Sequence, residues 1–127
     1  KVINDKKFRL TSSRADFSNR NQEAEFSDNV KMNLGSLYVQ SPLANFFYLE
    51  ANKTLVKILL TNGVSFIDGD RRGTCSTLEM DLVKNKMTMW GQPKVQQGAD
   101  EIRGQEIVFL DGGKKVKINK ILNQGAD

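Results

Sequence analysis

A short pattern, small–x–x–apolar–x–apolar, occurs four times along this chain at steps of 29, 34 and 29 residues. It reads Ser12-x-x-Ala15-x-Phe17, Ser41-x-x-Ala44-x-Phe46, Cys75-x-x-Leu78-x-Met80 and Gly104-x-x-Ile107-x-Phe109. A second pattern follows the first three copies: Phe26-x-x-x-Val30-x-Met32, Leu60-x-x-x-Val64-x-Phe66 and Met89-x-x-x-Pro93-x-Val95. It begins 14 residues after the first pattern in copies one and three, and 19 after it in copy two. A period of this size marks stacked supersecondary units, none of which can bury its apolar face alone.

The units are made of strands. Apolar and polar residues alternate, as in Leu78-Glu79-Met80-Asp81-Leu82 and Met87-Thr88-Met89, so one face points inward and the other to water. Turn clusters fall a few residues past each first pattern, at Ser18–Asn21, Ala51–Lys53, Lys84–Lys86 and Asp111–Lys114. A second set follows the other strands, at Asn33–Ser36, Asp68–Asp70 and Gln97–Asp100. Asn, Asp and Gly supply the positive backbone angles that hairpins need. The stretch Phe46–Leu60 contains tolerable helix formers, but its aromatics and Leu55-Val56-Lys57-Ile58 predict a longer hairpin that absorbs the five extra residues of copy two.

The small residues at 12, 41, 75 and 104 fall in register, where a strand bends and space is short. Asn29-Val30, Gly63-Val64 and Gly91-Gln92-Pro93 occupy equivalent places in the second pattern and predict kinks or bulges where the sheet folds over. The expectation is an all-β chain of about four strand–turn–strand repeats with strands of five to eight residues. Bent, stacked hairpins give a jelly roll or an open, folded-over sheet, a β-taco. Such a sheet ends in unpaired strands at Lys1–Leu10 and near Lys115–Leu122, where Val2, Ile3, Phe8, Leu10, Val116, Ile118, Ile121 and Leu122 would line the edges. One domain over residues 8–122 is expected, with 1–7 and 123–127 as edge or tail segments.

Composition removes several functions. No apolar run approaches the roughly 20 residues of a membrane helix; the longest, Leu55–Leu60, is interrupted by Lys57. The net charge is +4, which permits an anionic partner. The basic residues are dispersed, however, and the aromatics occupy repeat positions rather than alternating with them, so nucleic acid is not the expected partner. The chain has no histidine and one cysteine, which removes the commonest general base and metal ligand. Cys75 stands where the other copies have Ser or Gly and reads as a small buried residue rather than a nucleophile. Asp68-x-Asp70, with Glu79 and Asp81 nearby, lacks the glycine and distal glutamate of a calcium loop and reads as turn acids. Gly112-Gly113-Lys114-Lys115 lacks the spacing of a phosphate loop. Trp90 faces away from Met89 and reads as outer-face packing or a partner contact. No enzyme, cofactor or metal site is expected.

Ser12-Ser13-Arg14-Ala15-Asp16-Phe17 followed by Phe26-Ser27-Asp28-Asn29-Val30-Lys31-Met32 is similar to the A-x-x-A-x-Y … L-x-G-N-V-x-V rhythm of the OstA-like (LptA-like) lipopolysaccharide-transport domains. Trp90–Gly98 and Ile102–Phe109 resemble that family's L-x-G-x-P-x-V … G-x-x-I-x-G-x-x-I-x-Y/F ending. The likeness runs from about Phe8 to Ile118. Asp28 replaces the usual glycine, Phe17 and Phe46 replace tyrosine, and copy two is longer. The resemblance implies an open antiparallel β-jellyroll in the periplasm of Gram-negative bacteria, with any signal or anchor segment upstream of Lys1. It implies a non-enzymatic carrier that shields lipopolysaccharide acyl chains between inner and outer membranes. The same fold serves the membrane-anchored LptC-like partner and the amino-terminal domain of the outer-membrane translocon, so homologous β-jellyroll domains and further copies of the chain, joined head to tail, are the implied partners.

On this reading the groove residues are Phe17, Phe46, Phe66, Leu78, Met80, Met89, Ile107 and Phe109. The edge contacts are Phe8, Leu10, Val116 and Ile118. Burying one methylene is worth roughly 0.8 kcal/mol, so a lipid with several acyl chains faces tens of kcal/mol in water and needs a covered apolar path. Methionines suit such a path because they repack around varied shapes. The alternatives are a β-rich interaction module in which these residues fill a closed core, or a β-solenoid polysaccharide-active enzyme. A fully packed interior favours the module; a continuous groove open at both ends favours transport.

Overall fold

The computed structural model describes residues 8–18 and 22–119. The expected terminal segments 1–7 and 123–127 lie outside these, as do Asn19–Asn21 of the first turn cluster and residues 120–122, with Val2, Ile3, Ile121 and Leu122. The described residues form β1 (Phe8–Thr11), β2 (Arg14–Ser18), β3 (Glu23–Leu34), β4 (Leu37–Tyr48), β5 (Leu55–Thr61), β6 (Val64–Asp68), β7 (Arg71–Cys75), β8 (Thr77–Asp81), β9 (Lys86–Trp90), β10 (Lys94–Gln97), β11 (Asp100–Arg103), β12 (Glu106–Leu110) and β13 (Lys115–Asn119). A 3-10 turn, Asp111–Gly113, precedes β13. All the pairings are antiparallel. The expected all-β jellyroll is the fold, and Phe46–Leu60 is the expected hairpin.

The hydrogen-bonded register divides the ladder into two facing sheets. The first carries β1, Val30–Leu34 of β3, Leu37–Gln40 of β4, β6, β7, β10 and β11. The second carries β2, Glu23–Ser27 of β3, Leu43–Tyr48 of β4, β5, β8, β9, β12 and β13. The expected length of five to eight residues fails for β1, β10 and β11, which have four residues each, and for β3 and β4, which have 12 residues each and run through both sheets. The other strands break where the chain turns the corner.

The corner lies where the repeat places it. Ser12 falls between β1 and β2, Cys75 ends β7, and Gly104 falls between β11 and β12. Ser41 sits inside β4, buried, with its Oγ donating to the Leu43 carbonyl at 2.9 Å. On the alternate strands the corner is made by consecutive left-handed residues: Asp28 and Asn29, Asn62 and Gly63, Gly91 and Gln92. In β3 this pair shifts the register between Ser27 and Val30 as a bulge, so the strand bends without ending. Gly91 also permits a close approach: a Cβ there would lie 2.3 Å from that of Ser76, whose N–H bonds the Trp90 and Gly91 carbonyls. Pro93, which has no donor, is buried just past this corner. Apolar side chains from both inner faces fill the space between the sheets.

Candidate functional site

Strand register aligns the inner side chains in rows that cross the whole second sheet. Directly paired residues share a face. One row runs Ala15, Phe26, Ala44, Leu60, Leu78, Met89, Ile107, Ile118. The next runs Phe17, Ala24, Phe46, Ile58, Met80, Met87, Phe109, Val116. Every position is apolar from one edge strand to the other. On the facing sheet a row runs Leu10, Met32, Val39, Phe66, Gly73, Val95, Ile102.

Seven of the eight expected groove residues are therefore brought together and buried: Phe46, Phe66, Leu78, Met80, Met89, Ile107 and Phe109. Phe17 differs. Its partner Ala24 is buried, so Phe17 is on the inner face, yet it is 72% exposed because β2 is an edge strand. At the other edge Ile118, on the inner face opposite Ile107, is 41% exposed. Among the described residues β1 and β2 pair only with β3, β11 only with β10, and β13 only with β12. The expected edge residues Phe8, Leu10, Val116 and Ile118 all lie on these outermost strands. Phe8 also reaches across the interior to Phe46 at 5.9 Å, and Phe26 packs on both Phe46 and Phe17 at 5.0 and 6.0 Å, all edge to face. Aromatic contacts thus cross the interior at the amino-terminal end.

Among the described residues no continuous groove open at both ends runs between the sheets. Water-facing apolar walls cost about 25 cal/mol per Å², and here the walls meet: Met32, Ile58, Leu60, Leu78, Met89 and Ile107 are fully buried. A cavity of about 190 Å³ lies at the open rim, opposite the corner, lined in part by Leu34, Phe66, Met80, Met87 and Phe109. That is below the roughly 300 Å³ at which drug-sized pockets begin, so a lipid of several chains needs the sheets to part.

The polar groups are structural in geometry. Burial pushes the Cys75 thiol up to about 12, against the pull of hydrogen bonds to the Thr77 and Trp90 backbone. An inert thiol follows, as its repeat position suggests. The Asp81 carboxylate accepts from the N–H groups of Val83 and Lys84, and Asp68 accepts from Ser36 Oγ at 2.6 Å. These are turn acids. Trp90 lies on the outer face with its Nε1 donating to Glu106. Among the described residues no group of three acidic, histidine or cysteine side chains is placed to hold a metal ion.

Sequence reasoning missed the rim. One inner row of the first sheet starts apolar, at Phe8, Leu34 and Leu37, then turns polar at Asp68, Arg71, Gln97 and Asp100. Arg71-x-Gly73-x-Cys75 alternates inward just as apolar positions do, which was the available signal.

The geometry defines a class first: a two-sheet β-jellyroll with an apolar interior running between its outermost described strands. The family model for LptA/(LptD N-terminal domain) LPS transport proteins matches residues 9–111, and the chain belongs to that family. Among solved structures the chain is similar to LptH of Pseudomonas aeruginosa, described as the LptA homologous periplasmic component of the lipopolysaccharide transport device. The TM-score is 0.81 at 12% identity, over 98% of this chain and 90% of that one. At that identity the likeness concerns the fold. No curated protein matches the sequence.

Proposed function

We propose that this chain is a non-enzymatic periplasmic carrier that shields lipopolysaccharide acyl chains between its two sheets, as one segment of a bridge between inner and outer membranes. The observation that carries the reading is the pair of apolar rows that cross the second sheet without a polar break and end in the exposed side chains Phe17 and Ile118. A neighbouring domain paired along either edge would prolong those rows, and backbone hydrogen bonding across an edge is a ready mode of association. The groove residues are Phe17, Phe46, Phe66, Leu78, Met80, Met89, Ile107 and Phe109. The partners are homologous β-jellyroll domains or further copies of this chain. The two edges differ, so head-to-tail contacts are heterologous and need not close.

Native mass spectrometry of the purified chain with and without lipopolysaccharide tests both parts. The carrier reading expects a lipid-bound species and a ladder of oligomers; a lipid-free monomer under all conditions contradicts it. The packed interior favours a second reading, an interaction module with a closed core, which expects oligomers without bound lipid.

A further inference from the structure

We propose that Arg71 forms a side portal for an acyl amphiphile with an anionic head: the head takes the guanidinium from the Gly113 carbonyl, and the tail enters the rim cavity beneath. The inference rests on the carrier reading and specifies how a lipid reaches the interior without threading from an end.

Arg71 belongs to the first sheet, yet its Nη1 donates to the Gly113 carbonyl of the turn after β12, at 3.0 Å. Its Nε donates to Gln97 Oε1 at 3.1 Å, and its guanidinium lies 5.1 Å from the Phe109 ring centroid. One side chain thus ties the two sheets together across the open rim. It also lines the cavity, together with Phe66, Met80, Phe109 and Gly113. The turn is shaped for this contact. Gly113 has φ of +96°, and a Cβ there would sit 3.2 Å from Arg71 Nη1.

The guanidinium has, among the described residues, neutral partners only. Among the described residues the ion pairs are Arg14–Asp16, Arg103–Glu101 and Lys115–Asp111, and none involves Arg71. Two carboxylates and Lys86 also line the cavity, but Asp68 and Asp81 accept hydrogen bonds from Ser36 and from the turn backbone. A half-buried cation held by a carboxamide, a carbonyl and a ring exchanges a carbonyl for an anionic oxygen favourably, because the new bond joins two full and opposite charges at a site partly shielded from water. That exchange releases the turn and uncovers Phe66, Met80 and Phe109 to a tail.

Calorimetric titration with dodecyl phosphate, dodecyl maltoside and inorganic phosphate, below micelle-forming concentrations, tests the portal. The parent is expected to bind dodecyl phosphate at least about tenfold more tightly than dodecyl maltoside. Arg71→Gln is expected to abolish that preference while still binding the maltoside. Gly113→Ala, which crowds the contact but leaves the cation, is expected to keep the preference or increase it. An unchanged preference in Arg71→Gln overturns the proposal. If that variant fails to fold, loss of the preference in folded Gly113→Ala overturns it instead. Inorganic phosphate binding as tightly as dodecyl phosphate also overturns it, since the tail then contributes nothing. A parent that loads lipopolysaccharide but shows no preference for the anionic head refutes the portal alone. A parent that loads neither refutes the carrier reading with it.

Discussion

Phe66→Ala separates a core that only packs from one that can take up a chain. The ring is buried, and it meets Phe109 edge to face at 6.1 Å and 86°. Removing it forfeits about 1.5–3 kcal/mol of burial and about 0.5–1.5 kcal/mol of aromatic pairing. With the void left behind, the expected cost is about 3–5 kcal/mol, the range found for buried phenylalanines. For a domain of this size that lowers the melting temperature by roughly 10–20 °C. The void adjoins the rim cavity, which Phe66 itself lines. An acyl tail can therefore refill it. Bound ligand at a hundred times its dissociation constant returns about 2.7 kcal/mol. Differential scanning fluorimetry with and without lipopolysaccharide should show Phe66→Ala regaining more stability than the parent gains. The control is Leu60→Ala, fully buried two residues before the Asn62-Gly63 corner and away from the cavity. It should lose about 2–5 kcal/mol with no extra recovery. Equal recovery in the two variants would refute the reasoning.

Cys75→Ser should keep lipid binding and cost about 1 kcal/mol, while Cys75→Leu should lose a further 1–3 kcal/mol or so by overpacking the corner; urea unfolding measures both. Burial pushes the folded thiol from its ordinary value of 9.0 up to about 12, so its contribution is complete below about pH 9 and is lost as pH rises toward 12. Stability of the parent should therefore fall more steeply over that window than that of Cys75→Ser. Adjacent residues of an edge strand point their N–H groups alternately to the neighbour and to solvent. One of Val116→Pro and Lys117→Pro should then abolish association with little effect on folding, and the other should destabilise β13; sedimentation velocity in which both variants associate like the parent would rule out pairing through this edge.

Much of the fold was legible because the repeat reports geometry rather than propensity. Ser12, Ser41, Cys75 and Gly104 mark the corner since a bent backbone excludes large side chains there. The alternation around Leu78 and Met89 identifies inner faces because a strand has period two. The corner positions at Asn29 and Ser41 were legible, but not that β3 and β4 run on through them for 12 residues each, because continuity across a corner is set by pairing with distant strands. Periodicity placed seven of the expected residues on inner faces, where they are buried, but their burial depends on how closely the sheets approach, which no local pattern encodes. Phe17 occupies the same repeat position as Phe46, yet it is exposed, since nothing in its own segment reveals that β2 is an outer strand. Arg71 was hidden for a related reason: its partner Gly113 lies 42 residues away and meets it only when the sheets fold over.

The central claim is that acyl chains travel between the sheets, and Met80 and Glu79 test it side by side. They are neighbours on β8, one buried between the sheets and the other on the outer face opposite Thr88. A photo-crosslinking residue at each position, irradiated with lipopolysaccharide, reads out which face the lipid meets. The account predicts an adduct at position 80 and none at 79; an adduct at 79 alone, or equal yields at both, would contradict it.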